Sequence, residues 1–305
     1  MRPAASVLLL TTLIGAGQGL FLALAVLAEL AAPADAGLRT LLVAGSAASL
    51  ALLVLGLAAS FFHLGRPERA WRAAAMWRTS WLSREVIALP LFMGLVAAWG
   101  ASHWLDAPAA WSRGLAALGA LACIALFVCT AMIYACLRFL QEWHSPLTVA
   151  NFMLLGIASG LTLATALAHA LAPAFAGDLA RAAIAATLFA ALSRLASLAR
   201  NARLRPKSTP QTAIGVKHPR IEQKSLGAMG GTFNTREFFH GASRGKLRAI
   251  KWGFLLGAFA LPLPLLAAGW AAAAFVVQML GLYAERWYFF AQANHPQNIY
   301  YRQIS

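Results

Sequence analysis

Long apolar runs alternate with shorter polar segments along the whole chain. A run of about 17 to 25 apolar residues has the length of an α-helix that crosses a bilayer. Eight such runs are present, at residues 8–30, 40–62, 86–105, 114–137, 148–171, 179–198, 252–266 and 269–290. The pattern therefore predicts an all-α integral membrane fold, an eight-transmembrane-helix bundle that forms a single membrane domain over residues 1–305.

The first run and the last pair of runs each have a second interpretation. The first run follows Arg2 as a secretory signal would, but it is longer than the roughly 7 to 15 apolar residues of a signal peptide. The last two runs could form one long helix, but Pro262, Pro264 and Gly269 interrupt them where a hairpin needs helix breakers. We therefore expect a span at the first run and two separate spans at the last pair.

Composition and charge agree with a membrane protein and give it an orientation. The chain is 60% hydrophobic and 11% charged, with a mean hydropathy of +0.67, which is too apolar for a soluble domain. All Lys and Arg residues except Arg39, Arg113 and Arg181 fall on the side shared by both termini and the even-numbered loops. Acidic residues near those three offset their charge: Asp35, Asp106 and Asp178. The positive-inside rule therefore predicts an inner (cytoplasmic) membrane protein with both termini in the cytoplasm.

The loop at residues 199–251, between the predicted sixth and seventh helices, is much longer and more basic than the others. It carries twelve Lys and Arg residues against Glu222 and Glu237. A polybasic linker of this kind binds anionic lipid headgroups. Aromatic residues interrupt the charges, as anchors in protein interfaces do, so the loop is also a candidate cytoplasmic docking surface. The candidate docking residues are Arg69, Arg72, Phe233, Arg236, Phe238, Phe239 and His240.

Residues 61–85, FFHLGRPERAWRAAAMWRTSWLSRE, form a polar passage between two apolar runs. His63 closes one run and Glu85 opens the next, so both proton-exchanging groups are expected at one membrane face. A quinone headgroup gains or loses protons as electrons pass, and it needs such groups where water can resupply them. Gln18 could add a hydrogen bond, and Arg66 or Arg84 could hold Glu85 ionised. A helix-end cap for His63 and a salt bridge for Glu85 are the plainer interpretations.

Other cofactors have weaker support in the sequence. Cys123, Cys129 and Cys136 lie on one apolar run, whereas an iron–sulfur cluster takes four thiolates, so no cluster is expected in this chain. His103 and His169 end the third and fifth predicted spans at similar depth, as bis-histidine haem ligands would. A haem b-containing cytochrome b-type subunit is therefore an alternative, and a non-redox transporter is another, although no inverted repeat is evident.

HLGRPERA at residues 63–70, followed by SWLSRE at 80–85 and with Gln18 upstream, resembles the membrane anchor subunits of the dimethyl sulfoxide reductase family. HLG-x-P-x-RA and a later S-x-E recur in these DmsC-like anchors, and the resemblance covers essentially the whole chain. It implies that His63 and Glu85 are the quinol-binding positions. It also implies two partners, a four-cluster ferredoxin-like iron–sulfur subunit and a molybdopterin catalytic subunit, and a ubiquinone or menaquinone as the membrane electron carrier.

Two further segments favour one branch of that family. GGTFNTREFFHG at residues 230–241 and ERWYFFAQANHPQNIYYRQ at 285–303 resemble the anchors of quinone-linked sulfite dehydrogenases, the SoeC-like branch. That resemblance implies cytoplasm-facing partners and sulfite oxidation, with reduction of dimethyl sulfoxide or another S- or N-oxide as the alternative. Membrane lipids are the other expected contacts, and no nucleic-acid partner is expected. The anchor itself would carry the quinone site and not the substrate chemistry.

Overall fold

The computed structural model describes residues 1–31, 36–62, 64–222 and 238–300. Within these ranges the chain is helical and forms no strand. Six long helices come first: α1 (Ala5–Leu30), α2 (Ala36–Phe61), α3 (Trp81–Trp104), α4 (Ala109–Ala135), α5 (Pro146–Leu171) and α6 (Pro173–Ala202). The remaining helices are α7 (Pro210–Ile214), α8 (Arg244–Leu255), α9 (Pro262–Ala267), α10 (Ala271–Ala291) and α11 (Pro296–Tyr300). A 3₁₀ helix, Pro67–Met76, lies between α2 and α3, and a π-helical turn, Leu256–Ala260, joins α8 to α9.

Seven helical segments of the described part are long and apolar enough to cross a membrane. They are α1 to α6 and the continuous segment Arg244–Ala267. This confirms the all-α membrane fold. The predicted eighth span corresponds to α10, which has 21 residues and includes Gln278, Glu285 and Arg286. Leu8 near the start of α1 and Phe289 near the end of α10 share one buried cluster, so α10 returns to the end of the bundle where α1 begins. The number of eight crossings itself stays a prediction.

The third helix begins earlier than hydropathy predicts. It starts at Trp81 instead of residue 86, because the Ser80 side chain caps it by accepting a hydrogen bond from the Ser83 backbone N–H at 3.3 Å. Glu85 therefore lies inside the helix and not at its mouth. The passage before it, predicted only as polar, forms the 3₁₀ helix.

The long basic loop is shorter than predicted at both ends. Helix α6 continues to Ala202, and the Arg200 guanidinium donates hydrogen bonds to the carbonyl oxygens of Gln141 and His144 at 3.0 to 3.1 Å. Helix α8 begins at Arg244, capped by Ser243. Charged residues extend both helices because their side chains reach the membrane surface, whereas a hydropathy boundary is placed at the first charge. Residues 223–237 lie outside the described residues.

The turn between the last two long segments falls at a glycine. Gly269 has φ +82°, a left-handed conformation that favours glycine, between α9 and α10. The predicted break at this glycine is confirmed. Pro262 and Pro264 do not form the turn, because Pro262 instead opens α9 directly after the π-helical turn.

Helices α1 and α5 form the closely packed centre of the bundle. The four-residue spacing of Gly156 and Gly160 predicts such an approach, and the structure confirms it. A Cβ added at Gly19 would lie 2.0 Å from the carbonyl oxygen of Gly156, and one at Gly160 would lie 2.0 Å from the carbonyl carbon of Gly19. The same spacing at Gly253 and Gly257 predicts a second close approach, and it is present at Gly257, where an added Cβ would lie 3.1 Å from the Cα of Gly281, while the space beside Gly253 is open.

The two ends of the bundle differ in charge. We call the end where α1 begins the basic end and the other the opposite end. At the opposite end each of the three arginines pairs with an acid: Arg39 with Asp106 at 2.6 Å, Arg113 with Glu29 at 3.5 Å, and Arg181 with Asp178. The partner of Arg113 is thus Glu29 and not Asp106 as the sequence suggested. The charge asymmetry that predicted the orientation is present in the fold.

Candidate functional site

Glu85 is a buried carboxyl near the basic end of the bundle. It lies in the second turn of α3, only 7% exposed, on the face that packs against α4. Its Oε1 accepts a hydrogen bond from Thr130 Oγ1 on α4 at 2.5 Å. This arrangement places an acid–base group inside the protein, close to the membrane surface.

Tyr134 extends the Glu85 site along α4. It follows Thr130 by four residues, so both side chains lie on one face of the helix. Its phenol is close enough to the Glu85 carboxyl and the Arg286 guanidinium for both to act on it electrostatically. Its ring stacks on Phe152 of α5 with centroids 5.6 Å apart. Neither Thr130 nor Tyr134 was identified from the sequence, because nothing in an apolar run marks which hydroxyl faces a distant carboxyl.

The arginines predicted to serve Glu85 have other surroundings. Arg84 donates hydrogen bonds to the carbonyl oxygens of Trp77 at 2.9 Å and Arg78 at 2.8 Å, and its guanidinium lies over the Trp81 ring at 4.2 Å. Arg66 is exposed immediately before the 3₁₀ helix. The hydrogen bond to Glu85 thus comes from Thr130 and from neither arginine.

Gln18 lies deeper in the bundle than Glu85. Its side-chain amide donates to the carbonyl oxygen of Cys123 at 3.0 Å, which connects α1 to α4. Thr130 is seven residues, about 10 Å, further along α4 toward the basic end. The structure therefore gives Gln18 a bracing contact between helices and does not bring it to Glu85.

His63 lies outside the described residues, so its predicted pairing with Glu85 stays a prediction. Its chain neighbours show where the segment runs. Helix α2 ends at Phe61 and α3 begins at Trp81, both at the basic end. Phe62 is 88% exposed. The described residues on either side of His63 therefore lie at the same end of the bundle as Glu85.

An exposed apolar rim surrounds this end of α3. The 3₁₀ helix has no buried residue, so it lies on the surface of the bundle beside α3. The exposed apolar side chains of the rim are Phe61, Phe62, Leu64, Trp71, Met76, Trp77 and Leu82. The Arg72 guanidinium lies over the Trp71 ring at 5.4 Å. Aromatic and arginine side chains in this arrangement are typical of a membrane interface.

A second polar cluster, the buried ion triad of Arg194, Glu285 and Arg286, connects α6 to α10. Arg194 Nε lies 2.7 Å from Glu285 Oε1, and Arg286 Nη1 lies 3.5 Å from Glu285 Oε2. All three residues are at most 4% exposed. The Arg286 guanidinium also lies over the Phe152 ring at 3.8 Å. The sequence interpretation missed this triad, although charged residues inside predicted spans were the available signal.

The polar contacts of α10 continue deeper than the triad. Gln278 lies two helical turns before Glu285, and its amide donates to Thr187 Oγ1 at 3.2 Å and to the carbonyl oxygen of Ala258 at 3.4 Å. Ala258 belongs to the π-helical turn, where the altered backbone pairing leaves a carbonyl available. Helices α6 and α10 are thus joined by polar contacts over several turns.

The two candidate haem ligands have different surroundings at the opposite end. The His103 ring packs edge-on against Trp99 at 4.9 Å and lines a cavity of about 260 Å³. The His169 Nδ1 donates to the carbonyl oxygen of Thr165 at 2.9 Å, and its Nε2 faces Gly269 in the turn between α9 and α10. The contacts of the two imidazoles share no residue, so the structure adds no support to a haem between them. Within the described ranges, no three His, Cys, Asp or Glu side chains are grouped as metal ligands.

The aromatic residues predicted as docking anchors partly contact the chain itself. Phe238 stacks on His295 with centroids 3.9 Å apart, and Asn298 Nδ2 donates to the Phe238 carbonyl oxygen at 2.7 Å. Phe239 and His240 are half-buried beside it, with rings 4.6 Å apart. Burial lowers the pKa of His295, and the N-terminal ammonium group lowers it further.

The other docking candidates divide into exposed and undescribed residues. Arg69, 3.8 Å from Glu68, and Arg72 are exposed on the 3₁₀ helix. Phe233 and Arg236 lie outside the described residues. A cavity of about 800 Å³ opens beside His295, and Arg138 and Lys207 line it. The basic end therefore presents cations and a sizeable recess next to the Phe238 contact.

Comparison with known proteins gives two matches. The profile of the family described as DMSO reductase anchor subunit (DmsC) matches residues 2–215. A sulfite dehydrogenase subunit of Allochromatium vinosum is 50% identical over 333 aligned positions, which cover 100% of both chains. The profile match includes residues 61–85 and Thr130, and the relative also matches the part of the chain that holds α8 to α11.

Proposed function

The chain belongs to the DMSO reductase anchor subunit family, and we propose that it is the quinone-reactive anchor of a three-subunit molybdopterin and iron–sulfur oxidoreductase. Family membership and seven span-length apolar helices make it a multi-pass membrane protein. As an anchor it holds its complex to the membrane. The proposal adds where electrons and protons are exchanged with the quinone pool.

The observation that carries the proposal is the buried Glu85 carboxyl beside the apolar rim. A quinone is lipid-soluble, so its headgroup must approach from the membrane, and the rim presents apolar side chains on that approach. The Thr130 hydrogen bond occupies Oε1 of Glu85 and leaves the second carboxyl oxygen for another partner. The residues present thus fit a quinone headgroup that needs one proton-exchanging contact at this depth.

Quinone reduction consumes two electrons and two protons. The Glu85 carboxyl would hold one proton next to the headgroup, and His63, at the same end of the bundle, would exchange the other with water. Burial of Glu85 keeps bulk water away from the proton that it holds. Glu85 and the described chain neighbours of His63 lie at the basic end, which supports proton uptake and release on one side.

The partners follow from the family and from the charge of the basic end. We propose that a four-cluster iron–sulfur subunit docks there, over the cavity lined by Arg138 and Lys207 and the exposed Arg69 and Arg72. Phe233, Arg236, Phe238, Phe239 and His240 stay candidates for that contact. A short electron-transfer distance requires the docked subunit and Glu85 to share one end of the bundle, which this arrangement provides.

The name of the Allochromatium vinosum relative indicates the substrate of the complex. Oxidation of sulfite with water gives sulfate, two electrons and two protons, and the electrons would pass through the iron–sulfur subunit to ubiquinone or menaquinone. We propose this reaction, catalysed on the molybdopterin subunit. The basic end would face the cytoplasm from the inner membrane, in agreement with the positive-inside rule.

The test is quinone reduction by the purified complex that carries Glu85→Gln. Removing a general acid–base group costs about 10²- to 10⁴-fold. We expect sulfite-dependent quinone reduction to fall at least tenfold, while sulfite oxidation with a water-soluble electron acceptor stays unchanged. Glu29→Gln is the matched control, a half-exposed carboxyl at the opposite end, and should keep the wild-type rate. Wild-type quinone reduction by an assembled Glu85→Gln complex would remove Glu85 from the function.

A further inference from the structure

The buried charges of the described residues balance only in one protonation state. Four side chains of ordinarily charged residues are buried: Glu85, Arg194, Glu285 and Arg286. The triad alone has two cations and one anion and therefore a surplus positive charge. An ionised Glu85 would bring the total to zero. Uncompensated charge inside a membrane protein is expensive, so the surplus charge of the triad favours a further buried anion, and Glu85 is the other buried carboxyl of the described residues.

Aromatic contacts connect the triad to the Glu85 site. The Arg286 guanidinium lies over one face of Phe152, and the ring of Phe152 stacks on Tyr134. Tyr134 follows Thr130 on one face of α4, and Thr130 donates to Glu85. A continuous packed path of α10, α5, α4 and α3 thus separates the surplus cation from the carboxyl, with little room for water to screen the two.

Arg286 is not required to neutralise Glu285. Arg194 already lies 2.7 Å from Glu285, which makes a balanced pair without a third charge. Arg286 lies further away, with Nη1 3.5 Å from the same carboxyl. Its guanidinium also lies over the Phe152 ring, 3.8 Å from the centroid. A purely structural ion pair would not need this second arginine.

We propose that the buried ion triad is a positioning unit for proton exchange at Glu85. Its surplus positive charge favours the ionised carboxylate and so makes Glu85 a readier proton donor to the quinone. The inference rests on the proposed function for its biological meaning, but its electrostatic content concerns the carboxyl alone and can be measured without quinone.

The other cations near Glu85 are more exposed to water than Arg286 is. On α3 itself, Arg84 is directed toward the backbone of Trp77 and Arg78. Helix α2 contributes no charged residue near this end within the described part. The other titratable or charged groups on the packed elements are Glu68, Arg69 and Arg72 of the 3₁₀ helix, all exposed, and Cys129 and Tyr134 of α4. Water screens the exposed groups, which leaves Arg286 as the buried cation on the path.

The test measures the protonation of Glu85 by infrared spectroscopy in the intact complex. The carbonyl band of the protonated carboxyl is assigned by its loss in Glu85→Gln and then titrated. Arg286→Gln should move the midpoint to higher pH, and Glu285→Gln should move it to lower pH. For charges on the order of 10 Å apart, each shift is about half to one pH unit. A merely structural role would not give opposite shifts.

Arg286→Lys and Arg181→Gln provide the controls. Arg286→Lys keeps the charge and should keep the midpoint near that of the wild type, and Arg181→Gln at the opposite end should not move it. If Arg286→Gln does not assemble, the downward shift in Glu285→Gln against the unchanged midpoint of Arg181→Gln still tests the electrostatic effect. Shifts in one direction, or none, would overturn the proposal. That result would leave the proposed function standing, because Glu85→Gln tests quinone reduction separately.

Discussion

Glu85 and Glu285 are both buried carboxyls near the basic end of one bundle, but their surroundings differ. Glu285 has two guanidinium groups within 3.5 Å and almost no exposed surface. Glu85 has one hydroxyl donor and lies beside an exposed apolar rim. Glu285 is held in an ion triad between two helices, whereas a carboxyl whose only hydrogen-bond donor is neutral can gain and lose a proton. Glu285 is therefore a structural ion-pair partner, whereas Glu85 is suited to exchange a proton.

The largest expected effect comes from breaking the fixed pair. Arg194→Leu leaves Glu285 buried without its closer cation, and removing one partner of a buried pair costs about 3–5 kcal/mol. Glu85→Gln keeps a polar side chain of similar size beside Thr130 and should cost much less. Thermal unfolding in detergent would be measured, with the reaction of the buried thiols Cys123 and Cys129 with a thiol dye as the readout. Equal stability of the two variants would contradict the distinction.

A smaller effect should follow from removing the donor of Glu85. Thr130→Val deletes the hydroxyl at nearly constant volume, and a hydrogen bond to a charged group contributes about 1.5–3 kcal/mol. Because the hydroxyl favours the ionised carboxylate, the pH profile of quinone reduction should move to higher pH by roughly one unit. Thr130→Ser keeps the donor and should leave the profile in place. An unchanged pH profile of quinone reduction in Thr130→Val would mean that the Thr130 hydroxyl does not affect the protonation of Glu85.

The smallest effect concerns a group outside both carboxyl regions, the His295 ring that stacks on Phe238. Its lowered pKa means that the folded contact favours the neutral imidazole. In the released segment the pKa returns to about 6.5, so the contact is fully stable above that pH and weakens as the pH falls through it. Hydrogen exchange at residues 238–243 should show a few-fold loss of protection between about pH 7.5 and about pH 5.5.

His295→Gln provides the control for that measurement. A glutamine cannot take up a proton in this range, so the pH dependence of protection at residues 238–243 should become weaker. Burial also lowers the pKa of His240 in the same segment, so the part that remains should disappear in His240→Gln combined with His295→Gln. If protection of residues 238–243 in the wild-type chain increased as the pH falls, the proposed direction of the pH effect on the His295 contact would be wrong. The contact lies beside a cavity that Glu85 does not line, so its pH response should be independent of substitutions at Glu85.

Much of the fold could be predicted from the sequence because span length and charge asymmetry are local properties. The apolar runs identified the long helices, the breaker Gly269 identified the turn, and the Gly156 and Gly160 spacing indicated close packing of α5, whose partner α1 only the structure shows. Helix starts were less accurate where a cap decided them. Ser80 begins α3 before the apolar run, so Glu85 lies deeper than hydropathy indicated. The cap at Ser80 therefore determines where α3 starts, although polar residues follow it.

The candidate site was less predictable because it depends on contacts between distant segments. Glu85 was found from its position in a polar passage, but its donor Thr130 lies 45 residues away on another helix. The Arg194–Glu285 pair joins residues even further apart, and only the presence of charges inside apolar runs indicated it. The predicted roles of Arg84 and Gln18 differ from their contacts, since each donates its hydrogen bonds to backbone carbonyls nearby.

The location of the quinone tests the account most directly. A photoreactive quinone analogue would be irradiated in the intact complex and its attachment sites mapped by mass spectrometry, with unlabelled quinone as competitor. We predict that the analogue labels residues within 61–85 or 130–134, beside Glu85 and the apolar rim, and that unlabelled quinone prevents this labelling. Competed labelling confined to α6 and α10 around Glu285, or to the surroundings of His103 and His169 at the opposite end, would contradict it.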